Sequence, residues 1–289
     1  MTSIKKLVVP VAGLGTRVLP ATKTTPKEML TVVDRPLIDY VIAEAHDAGI
    51  EHIILVTGRG KGAIEDYFDH AFELEATLDG KGKTDILDDL TSQLPQAGAI
   101  SYTRQQAPLG LGHAVWCARD LVGDAPFAVS LPDEIVASRP GFLKQLVDAH
   151  ARVGGNLVAV EDVPREDTSK YGVISPAGQD GNLIKMTGMV EKPPAHEAPS
   201  TYRIIGRYIL QPDIFNHLAN QERGAGGEIQ LTDSMNSLAK QQDFHAVLCG
   251  GEIHDCGSKI GWLQANVKLG LDHPTLGPAL ASYIDALRG

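Results

Sequence analysis

The residues best placed to do chemistry stand near the N-terminus, where Gly13-Leu14-Gly15-Thr16-Arg17 follows directly on the apolar run 7–11 and Lys27 lies ten residues further on. Glycines at a strand-to-loop turn let backbone N–H groups approach an anion closely. An arginine adds a planar fork for two phosphate oxygens, and a lysine adds a point charge. The combination suits a polyphosphate. It is not a dinucleotide fingerprint, which needs G-x-G-x-x-G, because residue 18 is Val. Gly82-Lys83-Thr84 matches the last three letters of a P-loop, but residue 77 is Thr and the stretch is acidic and helix-like, so it reads as a decoy.

Carboxylates follow later in the chain. Asp133 ends the apolar run 127–131, and carboxylates at the carboxyl ends of parallel strands fall at the ligand crevice. Mg²⁺ takes few carboxylates beside waters and phosphate oxygens, so Asp133 with Asp255 could hold one such ion, or two. Glu191-Lys192-Pro193 sets an acceptor beside a cation; a bend at the following prolines would let both reach one ligand. Ten histidines are scattered without an H-E-x-x-H, so His113 and His254 read as hydrogen-bonded structural groups, and there is no G-x-S-x-G nucleophile elbow.

The elements that must carry these residues alternate in period. The continuous apolar runs at 7–11 and 53–56 read as strands buried on both faces, and 99–103, 127–131 and 157–160 read as further strands. Between them lie helical patterns at 36–49, 61–75 and 141–153. Strand–helix alternation implies a mostly parallel, Rossmann-like α/β sheet with helices on both faces. The second half is broken into pieces at 172–175, 183–186 and 203–210, with turn signals at Pro176-Ala177-Gly178 and Asp180-Gly181-Asn182. This predicts a smaller antiparallel element laid over the sheet. Helical patterns return at 212–219, 229–239, 260–271 and 278–287.

With 289 residues, 43% hydrophobic and 21% charged, the chain can bury a full core. A net charge of −10 excludes a nucleic-acid partner, which calls for a basic footprint. The charge is uneven: residues 1–27 carry Lys5, Lys6, Arg17, Lys23 and Lys27 and no acid (+5), while 65–90 carry nine acids against Lys81 and Lys83 (−7). Cys117, Cys249 and Cys256 share no C-x-x-C spacing, which fits a reducing compartment and predicts a cytoplasmic protein. No apolar run approaches the ~18 residues of a membrane span, so no membrane partner is expected.

Read in order, several blocks resemble a known family. They are Val11-Ala12-Gly13-Leu14-Gly15-Thr16-Arg17, Pro26-Lys27-Glu28-Met29-Leu30, Gly110-Leu111-Gly112-His113-Ala114, Leu131-Pro132-Asp133, Tyr171-Gly172-Val173, Val190-Glu191-Lys192-Pro193, Ile205-Gly206-Arg207-Tyr208, Gly227-Glu228-Ile229-Gln230-Leu231-Thr232-Asp233 and His254-Asp255-Cys256-Gly257. Together they resemble the nucleotidyltransferases that join a nucleoside triphosphate to a sugar 1-phosphate, and most nearly the bacterial uridylyltransferases among them.

The resemblance implies Mg²⁺-dependent chemistry on UTP and glucose 1-phosphate, giving UDP-glucose and pyrophosphate. It implies catalytic roles for Arg17, Lys27, Asp133 and Lys192, with Asp133 and Asp255 facing the metal. Nucleotide contacts fall to Ala12, Gly13, Gly15, Thr16, Glu28, Gln105 and Gly110; Gln106 leaves the register of Gln105 open by one. Sugar-phosphate contacts fall to Tyr171, Gly172, Glu191, Lys192 and Gly206. It also implies one nucleotidyltransferase unit over 1–289: a nucleotide part to about 155, a sugar part over about 156–257 and a helical part over about 258–289. Such relatives form dimers or tetramers, for which the helices at 260–287 offer a surface. Two alternatives stay open: dTTP in place of UTP, since one methyl discriminates by only ~1–3 kcal/mol, and a non-catalytic sugar-nucleotide sensor on the same fold.

Overall fold

The computed structural model describes residues 3–220, 222–224 and 227–288. In chain order the strands are β1 (Lys6–Pro10), β2 (Thr31–Val32), β3 (Arg35–Pro36), β4 (His52–Thr57), β5 (Ile100–Arg104), β6 (Phe127–Ser130), β7 (Glu134–Ala137), β8 (Asn156–Asp162), β9 (Gly172–Asp180), β10 (Leu183–Glu191), β11 (Tyr202–Leu210), β12 (Phe244–Leu248) and β13 (Glu252–Asp255).

The apolar residues that follow Lys6 in β1 have a simple use: the strand lies in mid-sheet with both faces covered. Val8 packs with Ile54, Val129 and Val158 on one face. Leu7 and Val9 pack with Ile53, Leu55 and Ala128 on the other. Helices Leu111–Cys117, Ile214–Ala219 and Leu231–Leu238 close the first face, and Leu37–Asp47 and Phe142–Val153 the second.

One nine-stranded sheet runs in the order β5-β4-β1-β6-β11-β8-β12-β10-β9. The first four strands are parallel, as the strand–helix alternation predicted. The carboxyl ends of β1, β5 and β6 therefore share one edge, where an α/β sheet opens its crevice. β11 enters antiparallel between β6 and β8, and β12 runs parallel to β8. The antiparallel hairpin β9–β10 extends this same sheet through β12 and does not lie over it. Its first strand also reaches β11, with Val173 opposite Arg203, so this end of the sheet curls back toward the crevice.

Some local readings are corrected. Pro176-Ala177-Gly178 is no turn; β9 continues to Asp180, with Pro176 at a bulge of an edge strand where a missing N–H is tolerated. The pattern over 61–75 is split into Gly62–Tyr67 and the start of Phe72–Gly80. The strand β12 and the two-stranded sheet β13–β7 had no clear signal, being short and flanked by polar residues. Gly82-Lys83 is an exposed link between the helices Phe72–Gly80 and Thr84–Ser92, and Thr84 opens the second. No helix among the described residues is long and apolar enough to cross a membrane.

The loop that carries Asp133 is clamped from below. Arg207, 1% exposed on β11, donates to the carbonyls of Leu131 (3.0 Å) and Glu134 (2.9 Å), the residues that bracket Pro132-Asp133. Its Nε and Nη2 both donate to Glu44 Oε2, at 2.9 and 2.8 Å, from helix Leu37–Asp47. Removing one partner of a buried ion pair strands the other charge. Arg207→Ala is expected to lower the unfolding free energy by about 3–5 kcal/mol in urea titrations; a loss below 1 kcal/mol would show that the clamp contributes little.

Candidate active site

The glycine turn leaves β1 with Val11 N–H still bonded to Val56 O at 2.9 Å. Gly15 then takes a left-handed φ of 65°, and a Cβ there would stand 3.1 Å from Lys27 Cβ and 3.2 Å from Thr22 Cβ, so a larger residue would be strained. Thr22 Oγ1 donates to Gly15 O at 2.7 Å and closes the turn. The N–H groups of residues 13–17 donate to no acceptor among the described residues, which leaves a row of donors for an anion.

Charge converges on Asp133. Lys27 Nζ donates to its Oδ2 at 2.7 Å, and Arg17 Nη2 lies 3.4 Å from the same oxygen. Arg17 also spans to Asp255, with Nη1 3.5 Å from Oδ2. Asp255 arrives by a device that the sequence concealed: β13 pairs with β7 so that Asp255 is opposite Glu134, and Cys256 N–H donates to Asp133 O at 2.8 Å. Gly257 leaves room there for the Arg17 guanidinium between the carboxylates, for a Cβ would clash with Arg17 Nη2 and sit 2.6 Å from Asp133 Oδ2 and 2.9 Å from Asp255 Oδ1. The two carboxylates thus face one point. Among the described residues no group of three or more His, Cys, Asp or Glu is placed to hold a metal ion. The pair fits a hard cation that draws its remaining ligands from phosphate and water.

Burial by itself would lower the Lys27 ammonium and raise the Asp133 carboxyl. Their mutual attraction outweighs it, helped by Glu28 at Lys27 and by Arg17 at Asp133: Lys27 lies above its ordinary value and Asp133 below.

Two cavities meet at this centre. One, of about 510 Å³, is lined by Ala12, Gly13, Thr16, Lys27, Gln105 and Gly110 among others; the second, of about 390 Å³, by Tyr171, Gly172, Glu191, Lys192, Gly206 and Asp255 among others. Arg17, Leu111, Leu131 and Asp133 belong to both. In the second, Thr232 Oγ1 donates to Glu191 Oε2 at 2.7 Å, and Lys192 Nζ lies 3.3 Å from Glu191 Oε1. The bend that turns both side chains to one cavity is at Lys192 itself, which adopts a left-handed φ of 47°; the prolines that follow do not make it. Such backbone strain, of order 1–3 kcal/mol, persists where surrounding structure holds it; here Lys192 N–H is tied to Tyr171 O at 3.0 Å. The Tyr171 ring is backed by the Arg203 guanidinium at 4.4 Å.

Most of the expected residues are gathered here, with some revisions. Gln105 lines the first cavity, its Nε2 donating to Gly110 O at 3.1 Å and lying 3.0 Å from His113 Nδ1, whereas Gln106 is exposed. Glu28 lines neither cavity; it is fully buried against Lys61 at 2.7 Å. Lys23 is exposed and lines neither. Gly15 shapes the turn from behind. His254 is buried, but its Nε2 is 3.6 Å from Glu252 Oε1 and makes no hydrogen bond. Glu134 is a buried strut: it pairs with Arg203 at 3.0 Å and accepts from Gly206 N–H. Thr232 belongs to the block 227–233 but had no role assigned, and Lys61 had no signal beyond its residue type.

The pKa directions set a pH window. Asp133, depressed in the fold, stabilises above its ordinary value of 3.8, and this is lost as pH falls through its lower folded value. Lys27, raised in the fold, stabilises below 10.5, and this is lost as pH rises through its higher folded value. The Tm difference between the wild type and Lys27→Met is therefore expected to be flat between about pH 6 and 9 and to shrink below pH 3.8. A slope near neutrality in thermal melts would contradict the pairing.

Comparison with known proteins shows the family. The profile of the family described as Nucleotidyl transferase matches residues 6–270. The UTP–glucose-1-phosphate uridylyltransferase of Bacillus subtilis (strain 168) is 45% identical over 287 residues, covering 99% of this chain and 98% of the relative. A solved UTP-bound UGPase from Acinetobacter baumannii superposes with a TM-score of 0.91 at 45% identity, covering 97% of this chain and 98% of that one. A UDP-glucose pyrophosphorylase complexed with UDP-glucose gives 0.83 at 40% identity, covering 93% and 100%. With the likeness running from the first strand into the C-terminal helices, the chain belongs to the nucleotidyl transferase family and is an enzyme of that kind.

Proposed function

We propose that this chain transfers UMP from UTP to α-D-glucose 1-phosphate, forming UDP-glucose and releasing pyrophosphate. The observation that carries it is the junction: a basic cavity and a sugar-sized cavity share Arg17 and Asp133 as a common wall. Full-length likeness to uridylyltransferases and to a UTP-bound structure supports the choice of substrates.

A phosphate oxygen of glucose 1-phosphate attacks the α-phosphorus of UTP in line. The new P–O bond forms as the bond to the β-phosphate bridging oxygen breaks, and pyrophosphate carries that electron pair away. The nucleophile arrives anionic, so no covalent enzyme intermediate is needed; positioning and charge neutralisation do the work. Arg17, Lys27 and the N–H groups of residues 13–17 hold the phosphates that leave. Lys192 binds the sugar phosphate, and Glu191 accepts from sugar hydroxyls beside Tyr171, Gly172 and Gly206. Gln105 commits its amide nitrogen to Gly110 O, which leaves its oxygen to accept the uracil N3–H. Asp133 and Asp255 would hold Mg²⁺, which when bound neutralises charge on phosphate oxygens.

Pyrophosphate release measured over a matrix of four nucleoside triphosphates and several sugar 1-phosphates is expected to peak at UTP with glucose 1-phosphate and to vanish without Mg²⁺. Asp133→Asn is expected to lower turnover at least ~100-fold with the circular dichroism spectrum unchanged. Equal rates with dTTP would move the reading to thymidylyl transfer, and UDP-glucose binding without any turnover would make the chain a sensor.

The same reading makes the chain a single catalytic unit in the cytoplasm, where its three free thiols stay reduced. It also assigns an oligomer, dimer or tetramer, to the C-terminal helices. Ile260, Leu263, Val267 and Leu271 expose one apolar stripe along Lys259–Asp272. Wild-type chain is expected to sediment as an oligomer, and Leu263→Glu/Val267→Glu to shift it toward monomer; an unchanged mass would place the contact elsewhere.

A further inference from the structure

Lys61 and Glu28 form a buried pair just behind the glycine turn, and nothing in the chemistry above uses them. The Lys61 side chain is 6% exposed and that of Glu28 is 0%. Lys61 Nζ donates to Glu28 Oε2 at 2.7 Å and to the backbone carbonyl of Gly13 at 2.7 Å. Neither residue lines either cavity, whereas Gly13 and Leu14 line the first. A planar trans peptide points its C=O and the next N–H in opposite directions. A lysine that holds Gly13 O on the buried side therefore turns the Leu14 N–H to the opposite side. That N–H donates to no acceptor among the described residues.

We infer that Lys61 is a positioning residue for the triphosphate: it sets the Gly13–Leu14 peptide so that the Leu14 N–H is aimed at a phosphate oxygen. Glu28 has a matching part. It cancels the charge of Lys61 inside the protein, so the lysine serves the backbone carbonyl and does not compete for the anion. A lysine free to swing would bind phosphate directly but leave the peptide plane unset. Among the described residues Lys61 is the cation paired with the buried Glu28, whose Oε1 makes no hydrogen bond, so the pair stands or falls together.

The inference rests on the proposed use of UTP, and pyrophosphate serves as a probe that does not depend on it. Lys61→Met by itself would strand Glu28, so the informative variant is Lys61→Met/Glu28→Gln, in the full chain, with folding checked by circular dichroism. Calorimetry is expected to show pyrophosphate and UTP binding weakened ~10-fold or more, the scale of one hydrogen bond to a charged group, while UMP affinity changes less than ~2-fold. Lys61→Arg, which keeps a buried donor on Gly13 O, is expected to restore part of the loss. Unchanged pyrophosphate affinity in the double variant would overturn the inference. So would an equal loss for UMP and pyrophosphate, since a pair that merely keeps the loop folded would weaken every ligand alike. Should wild-type chain bind pyrophosphate but not UTP, the substrate reading falls, and the pyrophosphate contrast still decides the role of Lys61.

Discussion

A carboxylate taken out of water must be met by positive charge or give up its own, and the site is organised around that demand at Asp133. Lys27 meets it at 2.7 Å and Arg17 at 3.4 Å. The three groups come from three places in the chain, so satisfying one carboxylate draws the glycine turn, the Lys27 segment and the end of β6 together. Beneath them Arg207 fixes the carbonyls on either side of Asp133, and Gly257 leaves room for the Arg17 guanidinium between Asp133 and Asp255. The cations that would receive phosphates are held near one another by the same carboxylates.

The sheet explains why two ligands can meet at that point. Its parallel portion brings the ends of β1, β5 and β6 to one edge, which makes a nucleotide side. Its antiparallel portion curls back through β9 and β11 and brings Gly172 and Glu191 to the same edge, which makes a sugar side. Neither half encloses a complete site. The chain-wide charge of −10 is compatible with this because the acids of 65–90 lie mostly on exposed helices away from the cleft.

Much of the fold was legible because buried parallel strands need apolar residues on both faces, and helices that cover a sheet need one apolar stripe. Val8 and Val9 facing opposite cores are the plain result. The phosphate turn was legible because few residue types can perform its task at that spacing. Less legible were the features made by contacts between distant residues. Glu28 belongs to a motif block and yet is buried against Lys61 and lines neither cavity. The bend at Lys192 is a backbone strain with no signature in residue type. The short sheet β7–β13 had too few residues for a period to show, although it is what carries Asp255 to Asp133.

By itself the sequence determined the α/β class, the run of parallel strands and the residue types available to bind phosphate, sugar and metal. These follow from local rules: periodicity, turn chemistry and the charge a ligand demands. The tertiary structure decided which of those residues share a wall, which carboxylate is matched to which cation, and which charged residues face inward as struts. Such choices depend on distances between segments a hundred or more residues apart, as in the Arg17–Asp133, Lys27–Asp133 and Arg207–Glu44 pairs, and no local pattern encodes those distances.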